Sequence, residues 1–111
     1  MKLFIFTALV AVVAFGQPKP GDVANGKRIF MRNGCYQCHG TVGQGTIAGA
    51  RLAQSRLTVS GFTNYVRNPA PGSMPAYRAK VMRDQELADV YAYVQSVPPP
   101  VPLSSIAILN P

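Results

Sequence analysis

Small and apolar positions first recur at helical spacing at Val23, Gly26, Ile29 and Phe30, between Asp22, a residue type that caps helices, and Asn33-Gly34, a pair that stops them. This predicts a helix from Val23 to Arg32. Phe62, Tyr65 and Val66 share a second, shorter helical face, with Thr58 or Ser60 as its cap and Pro69 as its end. From Asp84 the periodicity returns in Leu87, Val90, Tyr91 and Val94; Asp84 and Glu86 complement the positive amino end of that helix, and Pro98 terminates it. Between these elements, Gly40 to Leu57 carries Gly40, Gly43, Gly45 and Gly49 among polar residues and reads as loop. Asn68 to Tyr77, with Pro69, Pro71, Gly72 and Pro75, reads as ordered backbone that is neither helix nor strand. Strand alternation is absent, so the expected class is all-α, three main helices joined by long loops.

The two ends of the chain read differently. Met1-Lys2 leads into an uncharged apolar run from Leu3 to Phe15 and the small-residue sequence Ala14-Phe15-Gly16, the layout of a secretory leader over residues 1–16, cleaved near Gly16. The run is shorter than the ~20 apolar residues that carry a helix across a bilayer, which favours cleavage over retention as an anchor. The expected mature protein is exported to the periplasm and does not span a membrane. At the other end, Pro98-Pro99-Pro100-Val101-Pro102 is a semi-rigid, polyproline-like spacer. It divides a domain over 17–97 from a tail over 98–111, in which Ile106, Ile108 and Leu109 either dock on a partner or fold back on the protein's own surface.

The formal charge of +7 narrows the partners. Basic residues stand singly or in pairs such as Lys27-Arg28, not in a stripe interleaved with aromatics, so nucleic acid is not an expected partner. A basic face that steers encounter with acidic protein surfaces is the simpler reading, for a protein expected to be monomeric.

So small a domain buries a modest core and often needs a prosthetic group, metal or disulfide. The two cysteines, Cys35 and Cys38, are too close in sequence for a disulfide to restrain much chain. Followed at once by His39, the only histidine, they form Cys35-Tyr36-Gln37-Cys38-His39, the attachment signature of c-type haem. On one helical turn both thiols share a face and can meet the two vinyl groups at one haem edge, while the adjacent imidazole ligates the iron. A thioredoxin-type dithiol would sit where a strand meets a helix, and zinc would need further Cys or His ligands that this chain lacks. For a second iron ligand the candidates are methionines. Met31 lies in the first helix and Met82 leads into the last, whereas Met74 lies in Gly72-Ser73-Met74-Pro75, irregular backbone that can hold a sulfur over a flat ring. A His39/Met74 pair would raise the potential and close the iron to substrates, giving a carrier of single electrons between protein partners and not an enzyme. A haem subunit dedicated to one dehydrogenase or oxidase, and a haem enzyme or sensor with an open sixth site, are the alternatives.

With this motif set between a first helix and a proline-rich methionine loop, residues 22–97 resemble class I cytochrome c. The resemblance rests on Gly26 and Phe30, the Cys35–His39 motif, the glycine-rich loop, Tyr65-Val66-Arg67-Asn68-Pro69, Gly72-Ser73-Met74-Pro75 and Ala92-Tyr93. It implies that the helices wrap one covalent haem, and that Gly26 and Phe30 meet Val90 and Tyr93 where the first and last helices cross. It further implies that the Ala50 carbonyl orients the His39 ring, although the family usually has proline at that place, and that Leu52 packs on the haem. Arg51 either reaches a propionate or is solvated; Tyr65 either bonds the methionine sulfur or packs in the core. The family would also place a serine or similar cap at Arg83, and Asp84 is the expected substitute for it.

Overall fold

The computed structural model describes residues 19–110, so the leader expected over 1–16 lies outside the described residues. The first helix, α1 (Val23–Arg32), has the predicted bounds. The Asp22 carboxylate accepts the Asn25 amide at 2.9 Å, satisfying one of the free N–H groups at the helix start. At its far end the Asn33 amide donates to the Ile29 carbonyl at 2.9 Å. Gly34 then adopts φ 76°, a left-handed conformation that costs glycine little, and turns the chain directly into α2 (Cys35–His39). The haem-attachment motif is thus a helical turn of its own, stacked on the end of α1.

α3 (Val59–Arg67) is capped by Thr58, whose hydroxyl accepts the Gly61 amide at 3.1 Å; Ser60 lies inside the helix, which resolves the two alternatives. α4 (Asp84–Ser96) ends before Val97 and Pro98. No strand forms among the described residues, where Thr46 and Gly49 make the one isolated bridge. The all-α class therefore stands, with four helices when the motif turn is counted.

The core lies where α1 packs on α4. Ile29, Phe30, Leu87 and Val94 are essentially inaccessible and are joined by Met82, which is core filler as its place before an apolar helix suggested. Burying each such side chain stabilises the fold by about 1.5–3 kcal/mol. Phe30 and Tyr93 meet edge to face with ring centroids 5.5 Å apart. Gly26 lies so close to the α4 backbone that a Cβ there would overlap the Asp89 carbonyl. Gly26 faces Asp89 and Tyr93, and Val90, buried in the same cluster as Phe30 and Tyr93, also lines the cleft described below.

A polar clasp that the hydrophobic pattern does not disclose reinforces this contact. The Asp89 carboxylate, 4% exposed, accepts the Asp22 amide at 2.8 Å, the Asn25 side chain at 2.7 Å and the Gln85 side chain at 3.0 Å. Burial alone would raise its pKa, but these bonds and the charge of Arg83 outweigh it and hold the carboxyl below its ordinary value. The cap of α4 corrects the expectation. Asp84 does not cap the helix; it is its first residue, and its carboxylate receives Arg67. Arg83 occupies the cap position, and the Glu86 carboxylate reaches back to the Arg83 amide at 2.8 Å, supplying one half of a capping box.

The tail forms two 3-10 turns, Leu103–Ser105 and Ala107–Leu109, tied together by the Asn110 side chain, which donates to the Leu103 and Ile106 carbonyls. Of the three apolar residues singled out in the tail, Ile108 and Leu109 are 87% and 58% exposed, whereas Ile106 is partly buried.

Candidate functional site

α2, α3 and the two long loops surround a cleft of about 1100 Å³ whose wall includes every residue singled out from the sequence for a site. Phe30, Phe62, Leu87 and Val90 give it an apolar floor continuous with the core. One side is Cys35, Cys38 and His39. Both thiols are free, Cys35 partly buried and Cys38 exposed, and burial pushes the Cys35 thiol above its ordinary pKa. The 40–57 loop is fastened to this turn: the Gly45 amide donates to the His39 carbonyl at 2.8 Å, and the Thr46 hydroxyl donates to the Cys38 carbonyl.

The orientation of His39 follows from one contact. Its Nδ1 lies 2.6 Å from the Ala50 carbonyl oxygen, which can only accept, so Nδ1 carries the proton. The lone pair then resides on Nε2, and the hydrogen bond both aims the ring and makes Nε2 a stronger donor to a metal. Ala50 holds this position without the ring of a proline. The loop is restrained instead by the Leu52 and Ala53 amides, both donating to the Gly43 carbonyl at 2.8 Å, and by the Thr46–Gly49 bridge.

The facing residues come from irregular backbone. Met74 is partly buried on the cleft wall, and Leu52 lines the same cleft and packs against the core. Arg51 is exposed at the rim, where its guanidinium donates to the Gln54 side chain at 2.8 Å. Tyr65 also lines the cleft but is 48% exposed, so it is not a core residue. Tyr77 is a wall residue that sequence reasoning missed. Its hydroxyl donates to the Asn33 carbonyl at 3.0 Å, tying the methionine loop to the residue before Gly34, and burial raises its pKa, with Cys35 and Cys38 adding to the shift. A single tyrosine after a proline-rich stretch has no periodicity to betray it; the only available signal was its place just beyond Met74-Pro75.

Residues 21–94 match the family model described as cytochrome C oxidase, cbb3-type, subunit III. The chain belongs to the c-type cytochromes. It is also similar to cytochrome c-555 of Methylococcus capsulatus (strain Bath), at 30% identity over 88 residues that span 78% of this chain and 71% of that protein. No solved structure matches it.

As a c-type cytochrome the protein binds haem c covalently, with its iron, and serves haem-based electron transfer. The cleft fits that group: two free thiols lie on one wall, an imidazole is held in the tautomer that leaves Nε2 available, and the floor is apolar. No helix among the described residues is long and apolar enough to cross a membrane.

Proposed function

We propose that this cytochrome is a periplasmic electron carrier in which Cys35 and Cys38 tether the haem by thioether links and His39 and Met74 are its axial ligands. Held there, the haem would supply a centre for transfer of single electrons. The protein's part is to hold and tune. His39 is oriented by Ala50, Met74 is offered by a loop on the same cleft, and the floor around Phe30 and Leu87 excludes water. Leu52 would contact the ring, Arg51 at the rim would answer a propionate, and Tyr65 would bond the methionine sulfur. With both axial positions taken by side chains, no site is left for a substrate, so the activity is electron transfer and not catalysis. The mature, monomeric protein meets its donor and acceptor through acidic surfaces on them, consistent with the net positive charge of the chain.

The observation that carries this reading is the bond from His39 Nδ1 to the Ala50 carbonyl, because it prepares a metal ligand next to two free thiols. The holoprotein should keep its haem stain after denaturing electrophoresis, and a variant with both cysteines changed to alanine should lose it. The ferric protein should show the weak near-infrared sulfur-to-iron band, absent from Met74→Ala; a band unchanged in that variant overturns the ligand assignment. Cell fractionation should place the stained band in the periplasm with Gln17 as its first residue.

A second reading is favoured by the exposed apolar tail and by the matching family model, which is named for an oxidase subunit. In it, the cytochrome is a fixed haem subunit of one dehydrogenase or oxidase, docked through Ile106, Ile108 and Leu109. Native purification decides between the two: a free monomer with no stable companion contradicts the fixed subunit.

A further inference from the structure

Met74 sits on a stretch with few anchors of its own. Among the described residues, Pro69–Ala76 makes hydrogen bonds only within itself, the amide and hydroxyl of Ser73 both donating to the Ala70 carbonyl, at 3.2 and 2.7 Å. What locates the stretch is its ends. At the first, the Asn68 amide closes α3 by donating to the Asn64 carbonyl at 2.9 Å. At the second, three residues beyond Met74, Tyr77 is gripped on both sides of its backbone. Its amide donates to the Val66 carbonyl at 3.1 Å, and its carbonyl receives Arg67 Nη1 at 2.6 Å.

Arg67 does more than hold Tyr77. The same Nη1 donates to the Met82 carbonyl at 2.6 Å, and Nη2 donates to the Asp84 carboxylate. The guanidinium, with its side chain 15% exposed, therefore brackets the turn over residues 78–82 from both ends and fastens it to the start of α4. Only arginine presents several N–H groups in a rigid fork of this kind, and bonds from a charged donor are roughly twice as strong as neutral ones. No residue within the methionine stretch offers a comparable tie.

We propose that Arg67 is a positioning residue for the sixth iron ligand: it staples the far end of the Met74 stretch to α3 and α4, and so sets how firmly Met74 competes with outside ligands for the iron. The inference rests on Met74 being that ligand. Physically, an outside ligand binds when the stretch swings away, so its apparent affinity is its intrinsic affinity multiplied by the fraction of molecules in which Met74 is off the iron. Weakening the staple enlarges that fraction without touching the haem side of the cleft.

The test is an imidazole titration of the ferric holoprotein, followed optically through the shift of the main haem absorption band, which reports binding with or without Met74. Arg67→Met should tighten imidazole binding by about tenfold or more, a shift of about 1.4 kcal/mol per tenfold. Arg67→Lys, which keeps the charge but cannot span both carbonyls and Asp84, should fall between it and the wild type. In a Met74→Ala background the Arg67→Met effect should shrink to less than about twofold, because the coupling between the two residues is then gone. Wild-type affinity in both Arg67 variants overturns the proposal, as does an equal effect of Arg67→Met with and without Met74, which would mark general loosening. If Arg67→Met does not fold, the lysine variant alone decides: tightened binding supports the staple and wild-type binding overturns it. A wild type that lacks the near-infrared band and binds imidazole as readily as Met74→Ala shows instead that the ligand reading itself fails, and the staple with it.

Discussion

Where α1 meets α4, side chains interlock at van der Waals distance around Gly26, Phe30 and Tyr93, and a buried carboxylate closes the contact. Where residues 68–77 meet the cleft, regular structure is absent, most side chains from Asn68 to Pro75 are exposed, and Tyr77 and Arg67 supply the anchoring bonds. The first region gains its stability from burial and loses it to any atom that does not fit. The second is located from its ends, which leaves its middle free to offer a sulfur. The difference assigns folding to one half of this cytochrome and, on the proposed ligation by Met74, tuning of the iron to the other.

The comparison breaks most completely at Gly26. Gly26→Val places a branched side chain against the Asp89 backbone, which cannot withdraw without parting the helices. We expect a loss of about 3 kcal/mol or more in urea unfolding of the holoprotein. By contrast, Ala76→Ser in the exposed methionine stretch should stay within about 0.5 kcal/mol of wild type. Equal sensitivity at the two sites would erase the distinction.

Next comes Asp89. Asp89→Asn replaces an acceptor that satisfies three donors by a group that can accept with only one atom, and should cost about 2 kcal/mol. The change should also alter the response to acid. The Asp89 carboxyl is held below its unfolded value, so between the two values the unfolded chain binds more protons than the folded one. The stabilisation is complete above the unfolded value of about 4 and is lost as pH falls through the folded one. Glu86, lowered by the Arg83 amide and the Arg32 side chain, acts in the same direction. Denaturation midpoints of the wild type should therefore decline below about pH 4, and Asp89→Asn should decline less steeply while Glu86 keeps its share.

The same division explains how much was legible in advance. The bounds of α1, the end of α4 before Pro98 and the role of Met82 follow from periodicity and stop signals, which are local, and the motif turn declares its chemistry by the spacing of Cys35, Cys38 and His39. Asp89 was not legible because a carboxylate on an apolar face looks like any surface charge until its partners, 64 and 67 residues away, are known. Arg67 and Tyr77 were hidden for a related reason: their bonds go to backbone carbonyls, and a carbonyl carries no residue identity to read. The tail was open to two readings because its apolar residues have no regular spacing, and the structure exposes Ile108 and Leu109 while partly burying Ile106.

Tyr77→Phe sharpens the comparison from the loop side. It removes the hydroxyl bond to Asn33 while leaving the ring and the Arg67 contact in place, and should cost about 1 kcal/mol. Because that bond joins the methionine loop to the residue just ahead of the motif turn, hydrogen exchange should quicken at the Tyr77 amide more than at amides within α1.

The only gain is expected at the start of α4. Arg83 holds the cap position with no oxygen to offer the free amides of the first turn, and its guanidinium reaches the Glu86 carboxylate only at 3.4 Å from a largely exposed position. That ion pair is worth little in water. Arg83→Ser would keep the Glu86 bond to the residue-83 amide, add a hydroxyl acceptor for the amide of Glu86, and complete the capping box. The expected gain is about 0.5–1 kcal/mol, read as a higher denaturation midpoint with an unchanged near-infrared band. Because Arg67 grips Met82 and Asp84 on either side of this cap, a band that moved in Arg83→Ser would show that the start of α4 and the methionine stretch behave as one unit.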